Sequence, residues 1–393
     1  MSNTGLDSPR PRRGVALVYV AIVGVVMMGF CSLAVDLGRY EMVQSQLYNA
    51  AMAAARAGAN NIAKSNDTAT STTTAATNMA TSNMVDGVAI PSSAVTVQFI
   101  KWTSATNYVV ESTSNYAQAN AVGVTITYNV PLLFARVLGL ASKSITKMSI
   151  AEVVTTTATP YVYATGNPWL AGEPLNTTGS VSDSSYTNLH GTEDHQYPHD
   201  IAGGQSNLGK NTHGSTATST NYSSYEPYAS PVQVAITVTP GSRITVTNVS
   251  GNSTTDHDTT PNVTADGNGG TTGVYSNDAA KGIGEHGMAD VAMPVASMVG
   301  VFLGSGLPDN IATVPPKLDF STQAARDYVG LQPMLQQPFY VGTGLTSGGK
   351  QQSVLVPPDS TRLFLGIMDG HEWDNNNGGF NATITQTTIV TVQ

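Results

Sequence analysis

Of 393 residues, 49 are Thr, 35 Ser, 27 Asn and 38 Gly, while charged side chains make up only 11%. The formal net charge of −9 excludes a general basic field for nucleic-acid phosphates. Hydrophobic residues at 40% are enough for packed cores, which argues against disorder throughout, and the single cysteine, Cys31, excludes an intrachain disulfide scaffold.

Residues 14–35 carry no charge. As a helix the run is ~33 Å long, matching a hydrocarbon core of about 30 Å, and it reads as a membrane span. Arg10, Arg12 and Arg13 directly before it predict a cytoplasmic tail over 1–13 and export of everything after Asp36. A cleaved signal peptide is the competing reading, with Ser32, Leu33 and Ala34 as a loose cleavage site, but the apolar run exceeds the usual h-region of about 7 to 15 residues. Beyond the span, Leu37, Tyr40, Val43, Leu47, Ala50, Ala54 and Gly58 recur at three- and four-residue spacing and predict a continuing amphipathic stalk. Its small side chains suit packing on its own domain or assembly with neighbouring subunits, including a homo-oligomer.

Residues 65–84 read as a helix capped near Ser65 to Asp67 or as a connector. Strands are expected at 94–102, 108–111, 121–128 and 144–154, with a short helix over 130–140. The Gly-, Asn-, Ser- and Thr-rich stretch 156–230 reads as an irregular linker. Order is expected to return at 232–238 and 244–247 around Pro240-Gly241, then at 297–303, 352–356, 362–368 and 380–392. The predicted class is mainly β: a transmembrane helix with an amphipathic extension, a small α+β domain over 36–155, and an antiparallel β-sandwich over 231–393.

Arg12-Arg13-Gly14, the apolar span, Ala34-Val35-Asp36-Leu37-Gly38-Arg39 and Gln46-Leu47-Tyr48-Asn49-Ala50-Ala51 together resemble the N-terminus of TadE/TadG-like proteins of bacterial Flp (tight adherence) pilus machinery. The resemblance, over about 10–155, implies a single-pass anchor in a bacterial inner membrane, a periplasmic or surface-directed remainder, and other Tad/Flp pilus components as partners. Prepilin-like members are cut after a glycine and carry Glu five residues on. Here Tyr19 stands five residues after Gly14, which favours an uncleaved, TadG-like anchor.

In the C-terminal part, Asp369, Asp374, Asn375 and Asn376 precede Gly378-Gly379 in a strand–loop–strand context. Converging oxygen ligands of this kind suit Ca²⁺, and they equally suit a hairpin whose side chains cap backbone amides. With the turn at 238–246 the pattern resembles calcium-dependent, galactose-binding bacterial lectins of the LecA (PA-I) type over about 230–393. That resemblance implies metal ligation by Asp369, Asn375 and Asn376, a further ligand near Trp373 and a backbone carbonyl near Thr255. It implies sugar contacts from Asp369, Asn375 and His286; Ala289 replaces the family's glutamine, so galactose-like glycans are the expected class without a fixed specificity. His371 donating to a hydroxyl and Trp373 stacking on a sugar complete the expected surface, with Trp373 as a surface aromatic packed on its own loop the equal alternative.

His190, His195 and His199 form a cluster whose latter two could share a helix face and bind zinc, but Gly191, Pro198 and Gly203 oppose a helix, and a solvated or pH-sensitive loop is the expected reading. No G-x-S-x-G is present, Gly267 to Gly273 lacks the lysine of a phosphate loop, and no enzyme is expected.

Overall fold

The computed structural model describes residues 13–64, 68–174, 230–255, 260–269, 272–275, 286–308, 313–369, 373 and 376–393. They fall into two compact units, one of residues 1–153 with 389–393 and one of 154–388.

In the first unit a single helix, α1 (Arg13–Ile62), carries both the span and the stalk. No residue from Ala16 to Val35 is buried, and the helix is long and apolar enough to cross a membrane. From Asp36 onward one side turns inward: Val43, Leu47, Ala50, Ala51, Ala54, Ala55 and Ala59 are buried. Leu37, expected on that stripe, is instead 59% exposed, because the buried face begins one position earlier, at Asp36.

A second helix, α2 (Ala69–Thr81), packs on α1 through Ala76 and Ala80. Its Thr-rich sequence is a weak helix former, and a reciprocal cap holds its start: the Ser71 amide donates to Thr68 Oγ1 and the Thr68 amide to Ser71 Oγ, both at 3.1 Å. The hairpin β1 (Met84–Val85) and β2 (Val88–Ala89) turns through Asp86 and Gly87, both at positive φ. Next come β3 (Val95–Ser104), β4 (Asn107–Glu111), β5 (Ala121–Pro131) and β6 (Ser142–Ala158), an antiparallel sheet in the order β4-β3-β5-β6. The Val392 amide donates to Ile150 O at 2.9 Å and the Ile150 amide to Gln393 O at 2.7 Å, so the chain's last residues add to β6.

The sheet face toward α1 supplies Val122, Val124, Ile126, Val130 and Ala151 to a shared core. Small residues on the helix let the two backbones approach: a Cβ at Gly58 would sit 2.8 Å from Val122 Cγ1. Between β5 and β6 the expected helix over 130–140 is reduced to a 3-10 turn, Ala135–Leu138, closed by Gly139 at φ 86°.

The second unit opens with β7 (Tyr161–Tyr163), then β8 (Val232–Gln233), β9 (Arg243–Thr254), β10 (Thr272–Tyr275), β11 (Val291–Pro294), β12 (Met298–Leu303) and β13 (Leu318–Asp319). A short helix α3 (Gln323–Arg326) precedes β14 (Gly330–Leu331), β15 (Phe339–Tyr340), β16 (Ser353–Leu355), β17 (Arg362–Ile367) and β18 (Asn377–Thr391). One sheet runs β15-β12-β17-β8; a second row runs β14-β16-β9-β18, with β7 pairing β18; β10-β11-β13 forms a third. Residues of the first two share one hydrophobic core, among them Val299, Val301, Leu363, Leu365, Ile244, Val246, Phe380 and Ile384. The order expected at 232–238 is a two-residue strand followed by irregular chain.

β12 is buried along its whole length, and β17 over Leu363 to Ile367. A strand covered on both faces reads as a continuous apolar run rather than an alternating one. Part of the cover is the segment 160–174, which corrects the expected linker: a 3-10 turn, Pro168–Leu170, buries Trp169, Leu170 and Ala171, and Gly366 lies in close approach to Gly166 O. Gly- and Asn-rich composition there serves tight packing, not slack. Residues 175–229, with His190, His195 and His199, lie outside the described residues.

Trp169 is fully buried, and its indole Nε1 donates to Ala289 O at 3.0 Å. Trp169→Ala is expected to lower the stability of the second unit by about 3–5 kcal/mol, the usual loss for removing a buried aromatic. Chemical denaturation of the detergent-solubilised chain, followed by near-ultraviolet circular dichroism, checks this; a loss within error of zero would remove 160–174 from the core.

Candidate functional site

The best-defined polar construction on the first unit lies where α1 leaves its exposed apolar stretch. Asp36 is only 3% exposed, and its carboxylate accepts three consecutive backbone amides: Leu133 at 2.9 Å on Oδ1, and Phe134 at 3.0 Å and Ala135 at 2.7 Å on Oδ2. These are the orphan donors at the start of the 3-10 turn, so one side chain of α1 caps the loop after β5. One turn further, Arg39 sends Nε to Asp86 Oδ1 at 2.9 Å, pairs NH2 with Asp86 Oδ2, and donates NH1 to Pro131 O at 2.9 Å. Gln46 Oε1 accepts the Asp86 amide at 2.8 Å. The motif Asp36-x-x-Arg39 therefore fastens two loops, 131–135 and 84–89, to the first exposed turns beyond the span.

Electrostatics follow from the contacts. The Ala135 amide first, then those of Leu133 and Phe134, hold the Asp36 carboxyl below its ordinary value of 3.8, with Arg39 adding a favourable charge and partial burial opposing them. The hydrogen bonds from Arg39 to Asp86 keep the guanidinium more firmly protonated than usual.

The residue pattern that points here was visible in the sequence as the first charges after the apolar run. Their partners were not, since they stand 97 to 99 and 47 positions away.

Here the chain meets known families. Residues 14–61 match the family model described as putative Flp pilus-assembly TadE/G-like, and residues 44–151 match the one described as putative Tad-like Flp pilus-assembly. The N-terminal region is TadE/G-like. Both matches overlap on the stalk, and the TadE/G-like one contains Asp36 and Arg39. No curated protein and no solved structure matches the chain.

Of the residues expected around calcium and sugar, Thr255, Asp369 and Asn376 lie at one end of the second unit. Asn377 and Thr254 are cross-strand partners, which sets Asn376 beside Thr255. Ser253 Oγ donates to Ala296 O at 3.2 Å, and the Ala296 amide donates to Met368 O at 2.7 Å, bringing Asp369 to the same end. Asp369 and Asn376 are 7% and 4% exposed, and Asn376 Nδ2 donates to Ala164 O at 3.0 Å. His286, at φ 48°, stands three residues before Ala289, which receives the Trp169 indole.

Trp373 requires a correction. It is 1% exposed, its Nε1 donates to Ile367 O at 2.7 Å, and its ring lies 5.8 Å from that of Trp169. A buried indole with its N–H satisfied offers no face to a sugar; burial of the apolar ring beside Trp169 explains its position. Asn375 and His371 lie outside the described residues, as do Arg10 and Arg12 and the side chain of Arg13. Among the described residues no group of three His, Cys, Asp or Glu is arranged to hold a metal ion.

Because the Asp36 carboxyl is held below 3.8, its stabilising contribution is complete above that value and lost as pH falls through the lower folded-state value. Amides 133–135 are expected to be protected from hydrogen exchange near neutral pH, to lose protection in that acid range, and to be unprotected at all pH values in Asp36→Ala. Unchanged protection in the variant would show that the carboxylate does not hold the loop.

Proposed function

We propose that the chain is a non-catalytic, single-pass anchored component of a Flp-type pilus-assembly apparatus in a bacterial inner membrane. The observation that carries this reading is the pair of family matches over 14–61 and 44–151, coincident with an exposed apolar helix that leads without a break into a packed stalk. Arg10, Arg12 and Arg13 favour a cytoplasmic N-terminus, and everything after Asp36 then stands on the periplasmic side or beyond. Other pilus components, or further copies of the chain, are the partners this placement serves. Fusions of alkaline phosphatase after residue 64 and after residue 393 are expected to be active. Deletion of the gene is expected to abolish assembled pili, with restoration by the wild type. Inactive fusions would reverse the orientation, and normal piliation of the deletion strain would remove the assembly role.

A second reading concerns the second unit, and the convergence of Thr255, Asp369 and Asn376 favours it. Asn376 Oδ1 is buried and has no hydrogen-bond partner among the described residues, so an oxygen is available to a hard cation. In this reading Ca²⁺ sits at that end, galactose-like glycans complete its coordination, and clustering in the membrane raises the avidity of individually weak contacts. Calorimetry on the full chain is expected to show Ca²⁺ binding that Asp369→Ala abolishes, with calcium-dependent signals on a glycan array. Binding of Ca²⁺ without glycan signals would leave the ion a purely structural role, and no Ca²⁺ heat would end this reading.

A further inference from the structure

The loop that Asp36 holds is apolar on its outer side. Leu133, Phe134 and Leu140 are 58%, 44% and 59% exposed although they sit within eight positions of one another, and Arg136 and Lys143 beside them are exposed as well. Large apolar side chains grouped in this way call for a covering partner. The loop's position identifies it. Asp36 directly follows Val35, the last residue of the uncharged run, and it binds the amides of Leu133 and Phe134 themselves. At 1.5 Å per residue, the anchoring side chain stands about one residue's rise beyond the end of the span.

The sheet register agrees. Pro131 pairs with Ser142 at one end of β5, while Ala121 pairs with Ile100 at the other, toward the turn at Ser104 to Asn107. The loop 132–141 therefore leaves the sheet at the end nearest the span, and Ser104 lies at the opposite end. The hairpin tip fastened by Arg39 adds Met84 and Val88, which are 69% and 56% exposed.

We infer that Leu133, Phe134 and Leu140 insert into the interfacial layer of the membrane leaflet through which α1 emerges, with Arg136 and Lys143 at the level of the lipid phosphates. The occupant of this apolar patch is lipid because the patch is continuous with the lipid-exposed surface of α1. Aromatic and aliphatic side chains flanked by cations are the chemistry of interfacial seating, at a depth of about 5–10 Å into the headgroup and acyl boundary. Two contact points, the span and the loop, fix the tilt of the stalk, which a single helix leaves free. The inference rests on α1 being a membrane span.

Both claims are separable in one experiment on the full chain. In a Cys31→Ser background, single cysteines at Val25, Leu133, Phe134, Leu140 and Ser104 are labelled with an environment-sensitive fluorophore. The protein is then reconstituted into vesicles of phosphatidylethanolamine and phosphatidylglycerol carrying a quencher either near the headgroup or near the acyl terminus. The expected pattern is quenching of 133, 134 and 140 mainly by the shallow quencher, quenching of 25 mainly by the deep one, and none at 104. All five side chains are solvent- or lipid-exposed, so the labels do not enter a core, and three loop positions guard against local misfolding of one. Quenching at 25 with none at 133, 134 and 140 overturns the seating while leaving the span intact. Absence of quenching at 25 overturns both. If the loop is seated, Phe134→Asp lowers quenching at 140; if quenching at 140 is unchanged, Phe134 does not contribute to the seating.

Discussion

A carboxylate that accepts three successive backbone amides is the point on which the first unit depends. Asp36 is the first charged residue after an uncharged run, and a buried ion at that point is tolerable only if its charge is compensated. Three N–H dipoles and the neighbouring Arg39 supply that compensation. The same contacts set the rotational register of α1, since the position that ends the exposed apolar surface also begins the buried stripe. Val43, Leu47, Ala50 and Ala54 follow on that side, and β5, whose end the Asp36-bound loop continues, presents Val122, Val124 and Ile126 to them.

Small side chains make this arrangement possible. An Ala- and Gly-rich stalk gives little hydrophobic area per residue, but it allows a helix to lie close to a sheet and to gain dispersion contacts along its length. Gly58 lies over Val122 with no room for a Cβ. The second unit uses glycine in the same way: Gly366 faces Gly166 and Gly300 faces the Phe339 ring, so a central apolar strand pair is covered on both sides. Glycine and asparagine there are signs of dense packing, and the composition that reads as linker marks part of a core.

Elements with local signals were legible in the sequence. The charge-free run, the Ala-rich stalk, and the strands that became β3, β4, β5, β6 and β17 each follow from periodicity or β-branched content. The helix at 69–81 was one of two open alternatives, and the cap between Thr68 and Ser71 decides it. What the sequence concealed depends on contacts made by residues far apart. Trp169 stands in a stretch that reads as linker and Trp373 in a loop that reads as exposed, yet they share one buried site. Leu37 fits the stalk periodicity, yet it faces outward because Asp36 takes the inward position.

By itself the sequence determined that the chain has a helix long and apolar enough to span a membrane, that the helix continues as a stalk, and that strands dominate the remainder of the chain. Those properties need only hydrophobicity, length and local backbone preference. It also carried the TadE/G-like signature, since that lies in contiguous residues of the helix and its flanks. Only the tertiary structure decided which charges fasten which loops, which face of the stalk is buried, and that the apparent linker at 160–174 is packed. Each of these is a hydrogen bond or a close approach between residues scores of positions apart, and its energy exists only once the intervening chain has been folded into place.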